Sequence, residues 1–370
     1  MDYSKSLQLK IITDRKKFAE VKAFWLNFKQ ETQIKFYNDF YFYRAYFKHL
    51  KHPDITPFLV LIYEGENLIG ILPWEKRSVG LGVYQIGTLS HPHVDLNDAL
   101  FVDNKSTLIL QAITMLKSQT PAICLFSLPK LRQDSSLSQL LINQNAIDTF
   151  HWQTSESKFI EFQQTPLIEI LPKRHLKNVN RLIRKAENIG DVKYSFIKGE
   201  DITPEQIKEF LDLEASGWKG KQGSCSAISL NKDLIGFYHS LFNNSKKNIQ
   251  LNCYHLDGQL LAAHFCFING GTISLAKVCY RQEFSNLSPG HVLIYKAMEN
   301  AQLEGKVTKI SFVTGPGWLA PWKPSTKVVE TYTFALNPMS KLYFNGAKFF
   351  RSAINWYHKI KSPTTPAAPH

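Results

Sequence analysis

The sequence has few cysteines, no long apolar run and a shortage of acidic residues. Its five cysteines are odd in number, widely spaced and form no Cys-x-x-Cys motif, which argues against a disulfide framework and a thiolate zinc site. No uninterrupted apolar stretch approaches the roughly 18 residues of a membrane span, and the N-terminus has no apolar signal core. These absences favour a cytoplasmic protein without a transmembrane helix or a metal.

Positive charge predominates along the chain. The 370 residues include 44 Lys and Arg against 31 Asp and Glu, a formal net charge of +13. An excess of this kind favours anionic ligands, such as nucleic acid, a phospholipid surface or a phosphorylated small molecule. Hydrophobic residues make up 44% of the chain, which is typical of a globular protein and excludes a disordered scaffold. The length predicts two domains and a short appendage.

The same order of predicted elements occurs twice. In each half a strand and two helices precede a β-hairpin, and the two hairpin turns contain Gly65 and Gly258. Superposing these glycines pairs Leu68 with Leu261, which suggests an internal duplication. The two repeats meet near residues 164–166.

The chain beyond residue 336 differs from both halves. No acidic residue follows Glu330, and residues 337–361 predict a basic helix with five Lys and Arg, at 341, 348, 351, 359 and 361. Apolar residues recur there at near-helical spacing, including Leu342, Tyr343 and Phe350. Such a helix fits peripheral contact with the inner face of a membrane, and docking on the second half of the protein is the alternative. We expect residues 362–370 to be disordered.

The most specific motif is Ser288-Pro289-Gly290, which follows a predicted strand and precedes an apolar helical stripe. Ser288 is a natural N-cap, Pro289 is a natural first helical residue, and Gly290 allows a ligand to approach the backbone. Unpaired amides at the start of a helix bind anions. These three residues therefore predict a site for a phosphorylated cofactor, and an ordinary capped helix is the alternative.

Three motifs together carry a resemblance to a known family. They are the basic helix at 181–190, the segment Glu-Ala-Ser-Gly-Trp-Lys-Gly at 214–220, and Tyr280 followed by the Ser-Pro-Gly motif after a three-stranded meander. The chain resembles the GNAT-type N-acyltransferases of the duplicated branch that includes cellulose-biosynthesis-type acetyltransferases and the Fem peptidyltransferases. The resemblance implies an α/β fold of two tandem GNAT-like lobes, 1–165 and 166–336, each a mixed, mainly antiparallel sheet flanked by helices.

The resemblance also implies an activity. It predicts N-acyl transfer from acyl-CoA, with acetyl-CoA as the expected donor, to an amine acceptor such as an amino sugar of envelope or exopolysaccharide synthesis. Catalytic roles are predicted for Glu214 as base or amine-orienting group, for Lys219 beside it, and for Tyr280 as the acid that protonates the departing thiolate. The Ser-Pro-Gly motif then binds the pyrophosphate of CoA.

Five further residues are predicted to bind substrate. Trp218 is suited to stacking on a sugar, and Trp322 lies in a segment that partly resembles a motif of the family. His264 lies in the middle of a predicted strand among apolar residues, so that a structural role in the core is the alternative. His93 and Asp95 belong to His-Pro-His-Val-Asp in the first lobe. Nothing completes a ligand set around this pair of histidines, so acceptor binding is favoured over a metal site.

Two alternative functions remain open. Aminoacyl-tRNA-dependent peptide transfer is compatible with the net charge and with a basic helix face formed by Lys173, Arg174, Lys177, Arg181, Arg184 and Lys185. The alternative for this face is that it is only solvated and binds no ligand. The long helical arm of many Fem enzymes is not evident between residues 230 and 249. The second alternative is a non-catalytic protein of the same fold that binds polysaccharide or a membrane.

Overall fold

The computed structural model describes residues 6–31, 36–50, 52–80, 82–121, 123–142, 147, 149–163, 165–217, 219–221 and 223–346. Their strands form a 13-stranded sheet with helices on both faces. Two pairs of strands run parallel, and the remaining neighbours are antiparallel. The predicted α/β fold of two lobes, each a mixed and mainly antiparallel sheet flanked by helices, is confirmed.

The first lobe contains seven strands and four α-helices. In chain order they are β1 (Leu7–Ile12), α1 (Lys22–Glu31), α2 (Phe40–His49), β2 (Ile55–Glu64), β3 (Asn67–Gly80), β4 (Val83–Gly87), β5 (Leu100–Phe101), α3 (Ser106–Met115), β6 (Cys124–Arg132), α4 (Ser136–Ile142) and β7 (Thr149–Glu161). The turn between β2 and β3 needs a residue with positive φ, and Gly65 supplies it with φ 61°. The predicted hairpin therefore forms at the predicted turn.

The second lobe repeats this order. Its elements are α5 (Leu167–Ile170), α6 (Lys173–Glu187), β8 (Val192–Lys198), α7 (Pro204–Ser216), α8 (Lys232–Asn244), β9 (Ile249–Leu256), β10 (Gln259–Asn269), β11 (Thr272–Tyr280), α9 (Pro289–Glu304), β12 (Lys309–Ser311) and β13 (Ser325–Phe334). Helix α7 begins where the sequence predicts it, because Pro204 is its first residue and Thr203 and Gln206 form a capping box. The three-stranded meander β9–β10–β11 is also confirmed.

The order of strands across the sheet is symmetric between the two lobes, which agrees with the predicted duplication. It is β1-β2-β3-β4-β6-β13-β7-β12-β11-β10-β9-β8, with β5 beside β3. Apart from β5, which has no counterpart in the second lobe, the two halves match strand for strand when each is read from its own edge. The last strand of each repeat is exchanged, however: β13 pairs with β6 of the first repeat, and β7 pairs with β12 of the second. Strand β7 was not predicted, because its polar sequence lacks the apolar alternation of a buried strand.

The two lobes share a hydrophobic core. On one face of the sheet, which we call the α7 face, α1, α2, α7 and α8 pack around a common cluster. Phe42 of α2 and Phe237 of α8 meet edge to face with their ring centroids 5.6 Å apart. The opposite face, the α9 face, is covered by α6 and α9 in the second lobe and by α3 and α4 in the first. Because α8 packs on α2, it lies against the body of the protein.

One difference between the lobes concerns function. Parallel strands β11 and β12 pair over only three residues, and β11 then continues to Tyr280 paired only with β10, which leaves a gap in the sheet. In the first lobe, β4 and β6 also pair over three residues, but the chain fills the space beyond them. A side chain at Gly87 would meet the carbonyl of Ser127, and Nδ2 of Asn97 donates to the carbonyls of Leu89 and Pro129.

The backbone is helical again over 338–346. Ser340 docks this segment by accepting the backbone N–H of Cys124 over 2.8 Å, and Phe344 is 8% exposed. The other face, formed by Met339, Leu342 and Tyr343, is exposed by 57%, 71% and 43%. The remainder of the predicted basic helix, 347–361, and the predicted tail, 362–370, lie outside the described residues. Within the described residues, no helix is both long and apolar enough to cross a bilayer.

Candidate active site

A cavity of about 570 Å³ fills the gap between β11 and β12. It opens on both faces of the sheet, because its lining includes Leu213 of α7 on one face and Ile294 of α9 on the other. Eight of the residues predicted from the sequence line it: Asp95, Glu214, Lys219, His264, Tyr280, Ser288, Pro289 and Gly290. Residues as far apart in the chain as Asp95 and Trp318 therefore meet in one concave site.

The end of the cavity on the α9 face is the start of helix α9. Pro289 is the first helical residue, as predicted. Ser288 stands at the N-cap position, but its side chain does not cap the helix; its backbone is left-handed, with φ 44°, and its carbonyl accepts the amides of His291 and Val292. A Cβ atom at Gly290 would find its nearest neighbour 4.0 Å away, in Tyr280. The backbone at Gly290 is thus open to a ligand.

His291, the next residue of α9, also lines the cavity and was not singled out from the sequence. Trp322 donates its indole N–H to Nδ1 of His291 over 2.9 Å, and the two rings stack at 5° with their centroids 5.8 Å apart. Burial lowers the pKa of His291. A neutral imidazole that accepts at Nδ1 carries its proton on Nε2, so the ring presents a hydrogen-bond donor. The position of His291 directly after Ser-Pro-Gly was the available sequence signal.

Trp322 itself does not line the cavity. Its side chain is 2% exposed and packs between His291 and His175, whose ring centroid lies 4.3 Å away. Burial lowers the pKa of His175 to about 4. Trp318, which does line the cavity and is 41% exposed, packs edge to face on His291. Trp322 therefore contacts the cavity residue His291 but not the cavity, whereas Trp318 lines the cavity itself.

Glu214 and Lys219 form an ion pair on the α7 face of the cavity. Oε1 of Glu214 lies 3.1 Å from Nζ of Lys219, and Oε2 accepts the backbone N–H of Ile228 over 2.9 Å. The Glu214 side chain is only 2% exposed. One buried carboxylate thus holds the end of α7 to the following turn and places a lysine in the cavity. Trp218, between them in sequence, lies outside the described residues.

The first lobe contributes the loop that contains His93 and Asp95. Nζ of Lys130 donates to the carbonyls of His91 and Val94 and so fixes this loop. Asp95 lines the cavity, whereas His93 lies behind it, with Nδ1 2.9 Å from the hydroxyl of Tyr238. Burial and the charge of Lys277 lower the pKa of His93 to about 3. His93 therefore supports the loop as a neutral side chain.

His264, on β10, is the most deeply buried polar side chain of the cavity wall, with 1% exposure. Neither ring nitrogen has a hydrogen-bond partner among the described residues. Burial lowers its pKa to about 3, so that the ring is neutral at physiological pH. A buried polar atom without a partner costs about 1 to 3 kcal/mol. A ligand or water in the cavity is the natural partner of this ring.

The exposed edge of β11 completes the site. Beyond Ser274 it has no pairing with β12, so the backbone of residues 275–280 faces the cavity. A bulge at Ala276 interrupts its pairing with β10. Tyr280 ends the strand and is 40% exposed. Such an edge can pair with the amide groups of an extended ligand. The described residues include no group of three or more His, Cys, Asp or Glu that could hold a metal ion.

Comparisons with known proteins agree with this arrangement. Residues 173–323, less than half of the chain, match the family Acetyltransferase (GNAT) domain. No curated protein matches the sequence. The fold is similar to that of FemX, with a TM-score of 0.62, 13% identity, and coverage of 90% of this chain and 99% of that one.

A C-terminal domain of a putative lysylphosphatidylglycerol synthetase and the protein L-PGS are also similar in fold. The C-terminal domain, from Agrobacterium fabrum, has a TM-score of 0.56 at 8% identity and covers 89% of this chain and 96% of its own. L-PGS from Bacillus licheniformis has a TM-score of 0.54 at 10% identity, covering 85% and 92%. At these identities the likeness concerns the fold. Residues 173–323 thus match a GNAT acetyltransferase domain, and the whole chain has a two-lobed fold similar to that of FemX.

Proposed function

We propose that the protein transfers an acyl group from acyl-CoA, with acetyl-CoA as the simplest donor, to an amine. The observation that carries this proposal is the cavity between β11 and β12, with the start of α9 at one end of it. The backbone at Gly290 and the Nε2 donor of His291 suit a pyrophosphate. The free edge of β11 suits an extended chain with amide groups. Acyl-CoA combines both features in one molecule.

The residues of the α7 face then act on the acceptor. Glu214, whose oxygens already accept from Ile228 and Lys219, orients the amine or accepts its proton as the nitrogen attacks the thioester carbonyl. A C–N bond forms, the C–S bond breaks, and the thiolate receives a proton. Tyr280, which is half exposed at the end of β11, is our candidate donor of that proton. His264 holds a ligand atom through its unpartnered nitrogens.

Aminoacyl-tRNA-dependent transfer is the second candidate, and one observation favours it. Helix α6 packs against α9 and exposes Lys173, Arg174, Lys177, Arg181 and Arg184. None of these side chains has an ionic partner among the described residues. A basic face of this kind beside the cavity suits a polyanion. The similarity to FemX is in the fold and does not choose between the donors.

The remaining sequence predictions join this proposal. We place the lobe boundary at residues 165 and 166, the protein in the cytoplasm, and its branch among the cellulose-biosynthesis-type acetyltransferases. An amino sugar of envelope or exopolysaccharide synthesis is the proposed acceptor. The exposed face of 338–346 supports peripheral contact with an anionic membrane, because its apolar side chains precede a segment with basic and no acidic residues.

The test is to identify the donor directly. Calorimetry should show binding of acetyl-CoA, and mass spectrometry of the purified protein should show any retained CoA. Thiol release from acetyl-CoA in the presence of an amine then measures turnover. Binding of aminoacyl-tRNA without binding of acetyl-CoA would select the second candidate. A protein that binds acetyl-CoA but turns over no amine would be the non-catalytic alternative.

A further inference from the structure

Lys277 is a half-buried lysine in the wall of the proposed active site. The bulge in β11 decides where it points. Leu275 and Val278 pack on the α9 face, whereas Ala276 and Cys279 pack on the α7 face. Lys277 pairs with Phe265, which belongs to the core of the α7 face. If β11 had no bulge, strict alternation from Leu275 through Ala276 would turn Lys277 to the α9 face.

The side chain of Lys277 thus lies on the same face as Glu214 and Asp95 and across the sheet from the start of α9. The phosphates of a donor bound at Gly290 would lie on the α9 face. Lys277 is therefore not placed to neutralise them. Its position is at the point where the main cavity meets a small one lined by Phe42 and His93. This point belongs to the acceptor side of the proposed site.

The other charged groups around Lys277 already have compensating charges. Glu214 pairs with Lys219, and Glu75 accepts from Arg77. Burial lowers the pKa of Lys130, the charge of Asp95 raises it, and the charge of Lys277 lowers it, so that Asp95 lies near two lysines. Among the described residues, Lys277 has no ion pair or hydrogen bond. Asp95 thus offsets only one of the two lysines, Lys130 and Lys277, and the acceptor side of the cavity carries an excess of one positive charge.

The neighbouring histidines respond to this excess of positive charge. After burial, Lys277 is the largest cause that lowers the pKa of His93 to about 3. Burial, Lys130 and then Lys277 lower the pKa of His91. Both rings are thereby kept neutral, and the loop adds no positive charge of its own. A negative group placed at Lys277 would offset the repulsion between Lys277 and Lys130, which contributes to lowering the pKa of Lys130.

We propose that the acceptor carries a carboxylate or phosphate group in addition to its amine, and that Lys277 binds this group. This inference rests on the proposed function, because it assumes that an amine enters from the α7 face. It names the acceptor class as anionic amines, such as amino acids or phosphorylated amino sugars. Lys277 is then a residue that determines specificity, and it takes no part in the donor site.

The experiment uses pairs of amines that differ in one anionic group. Glucosamine 6-phosphate is compared with glucosamine, and lysine with cadaverine, in thiol release from acetyl-CoA by the full chain. We expect the anionic member of at least one pair to be preferred. Lys277→Gln should raise its KM about 10- to 100-fold, the usual effect of losing a charged hydrogen bond. The affinity for CoA and the KM of the neutral member should stay within about twofold.

Two variants control for folding and for net charge. Lys277→Arg keeps the charge and should restore most of the preference. Lys193→Gln removes one positive charge from an exposed position on β8, outside the cavity, and should change nothing. Equal use of both members of each pair, or a preference that survives Lys277→Gln, would overturn the proposal. Calorimetry of the four amines without donor separates it from the donor assignment.

If acetyl-CoA does not bind, the proposed function fails, but selective binding of an anionic amine that disappears in Lys277→Gln still supports the anion site. If acetyl-CoA binds and neither anionic amine binds or reacts, the donor assignment stands and the anion site is wrong. If Lys277→Gln abolishes the preference for glucosamine 6-phosphate over glucosamine but does not affect the comparison of lysine with cadaverine, the acceptors are phosphorylated amines.

Discussion

Trp322 and His291 are joined by a 2.9 Å hydrogen bond from the indole N–H to Nδ1, and their rings stack. The pair connects the loop before β13 to the start of α9. It fixes His291 as the tautomer with its proton on Nε2. In Trp322→Phe the stacking should persist, but the donor to Nδ1 is lost and the tautomer is released.

For Trp322→Phe we expect CoA affinity to fall about three- to tenfold, which corresponds to the usual net contribution of a neutral hydrogen bond. Nitrogen NMR of labelled histidine should show one tautomer of His291 in the wild type and a mixture in the variant. Trp318→Phe, which keeps the aromatic contact and leaves this hydrogen bond intact, is the matched control. A single tautomer in both variants would show that Trp322 does not set the proton position.

Gly290→Val tests the placement of the donor phosphates. Because a Cβ there meets no atom closer than 4.0 Å, the variant should fold, and its branched side chain should obstruct only the ligand. We expect CoA affinity to fall at least tenfold by calorimetry. Gly346→Val is the control, since a Cβ at that glycine also meets nothing within 4 Å. Unchanged affinity in folded Gly290→Val would move the phosphates elsewhere.

Glu214→Gln tests the acceptor side. The amide oxygen can still accept the N–H of Ile228, but Lys219 loses its counter-charge. Turnover should fall about 10²- to 10⁴-fold if Glu214 is the base, with little change in CoA affinity. A rise in acceptor KM alone would make it an orienting group. Wild-type kcat and KM would exclude both roles, and the double variant with Lys219→Met shows how much of the effect comes from the loss of the Glu214–Lys219 ion pair.

The buried His264 predicts acid sensitivity. Its folded pKa of about 3 lies below the ordinary value of 6.5, so below pH 6.5 the unfolded chain binds a proton that the folded protein does not. The stability that depends on neutral His264 is therefore fully present above pH 6.5 and is lost as the pH falls towards 3. In this range each pH unit lowers the free energy of unfolding by about 1.4 kcal/mol. In denaturant titrations, the free energy of unfolding of His264→Leu should therefore fall less between pH 7 and pH 5 than that of the wild type, by about 2 kcal/mol. Parallel curves for both proteins would contradict this.

Membrane contact is tested by co-sedimentation with anionic and neutral liposomes. The exposed pair Met339 and Leu342 can be replaced by serine without touching the docked Ser340 and Phe344. Binding to anionic liposomes should weaken in this variant and with rising salt, because each basic residue near the surface contributes about 1 kcal/mol. A chain that ends at residue 346 retains the docking contacts and should bind least. Equal partitioning of all three proteins would remove the membrane role.

Local signals identified most of the fold and much of the site. The hairpin at Gly65 needed positive φ, Thr203 and Pro204 started a helix, and Pro289 started another after a strand. Each signal acts over a few residues, so it is readable without the tertiary structure. Family resemblance then selected Glu214, Lys219 and Tyr280, which line one cavity with the Ser-Pro-Gly motif.

Other features follow from distant contacts that leave no local pattern. The polar strand β7 forms because β12 and β13 supply its partners. The hydrogen bond from Trp322 determines the tautomer of His291. A bulge in β11, which the alternation of the sequence does not reveal, turns Lys277 to the acceptor side. The amino-acid order set which helices and strands form and where the anion-binding turn lies. Only the tertiary structure decided that the sheet opens in the second lobe: β4 and β6 also pair over three residues, but the contacts of Gly87 and Asn97 fill the space beyond them, whereas a cavity lies beyond β11 and β12.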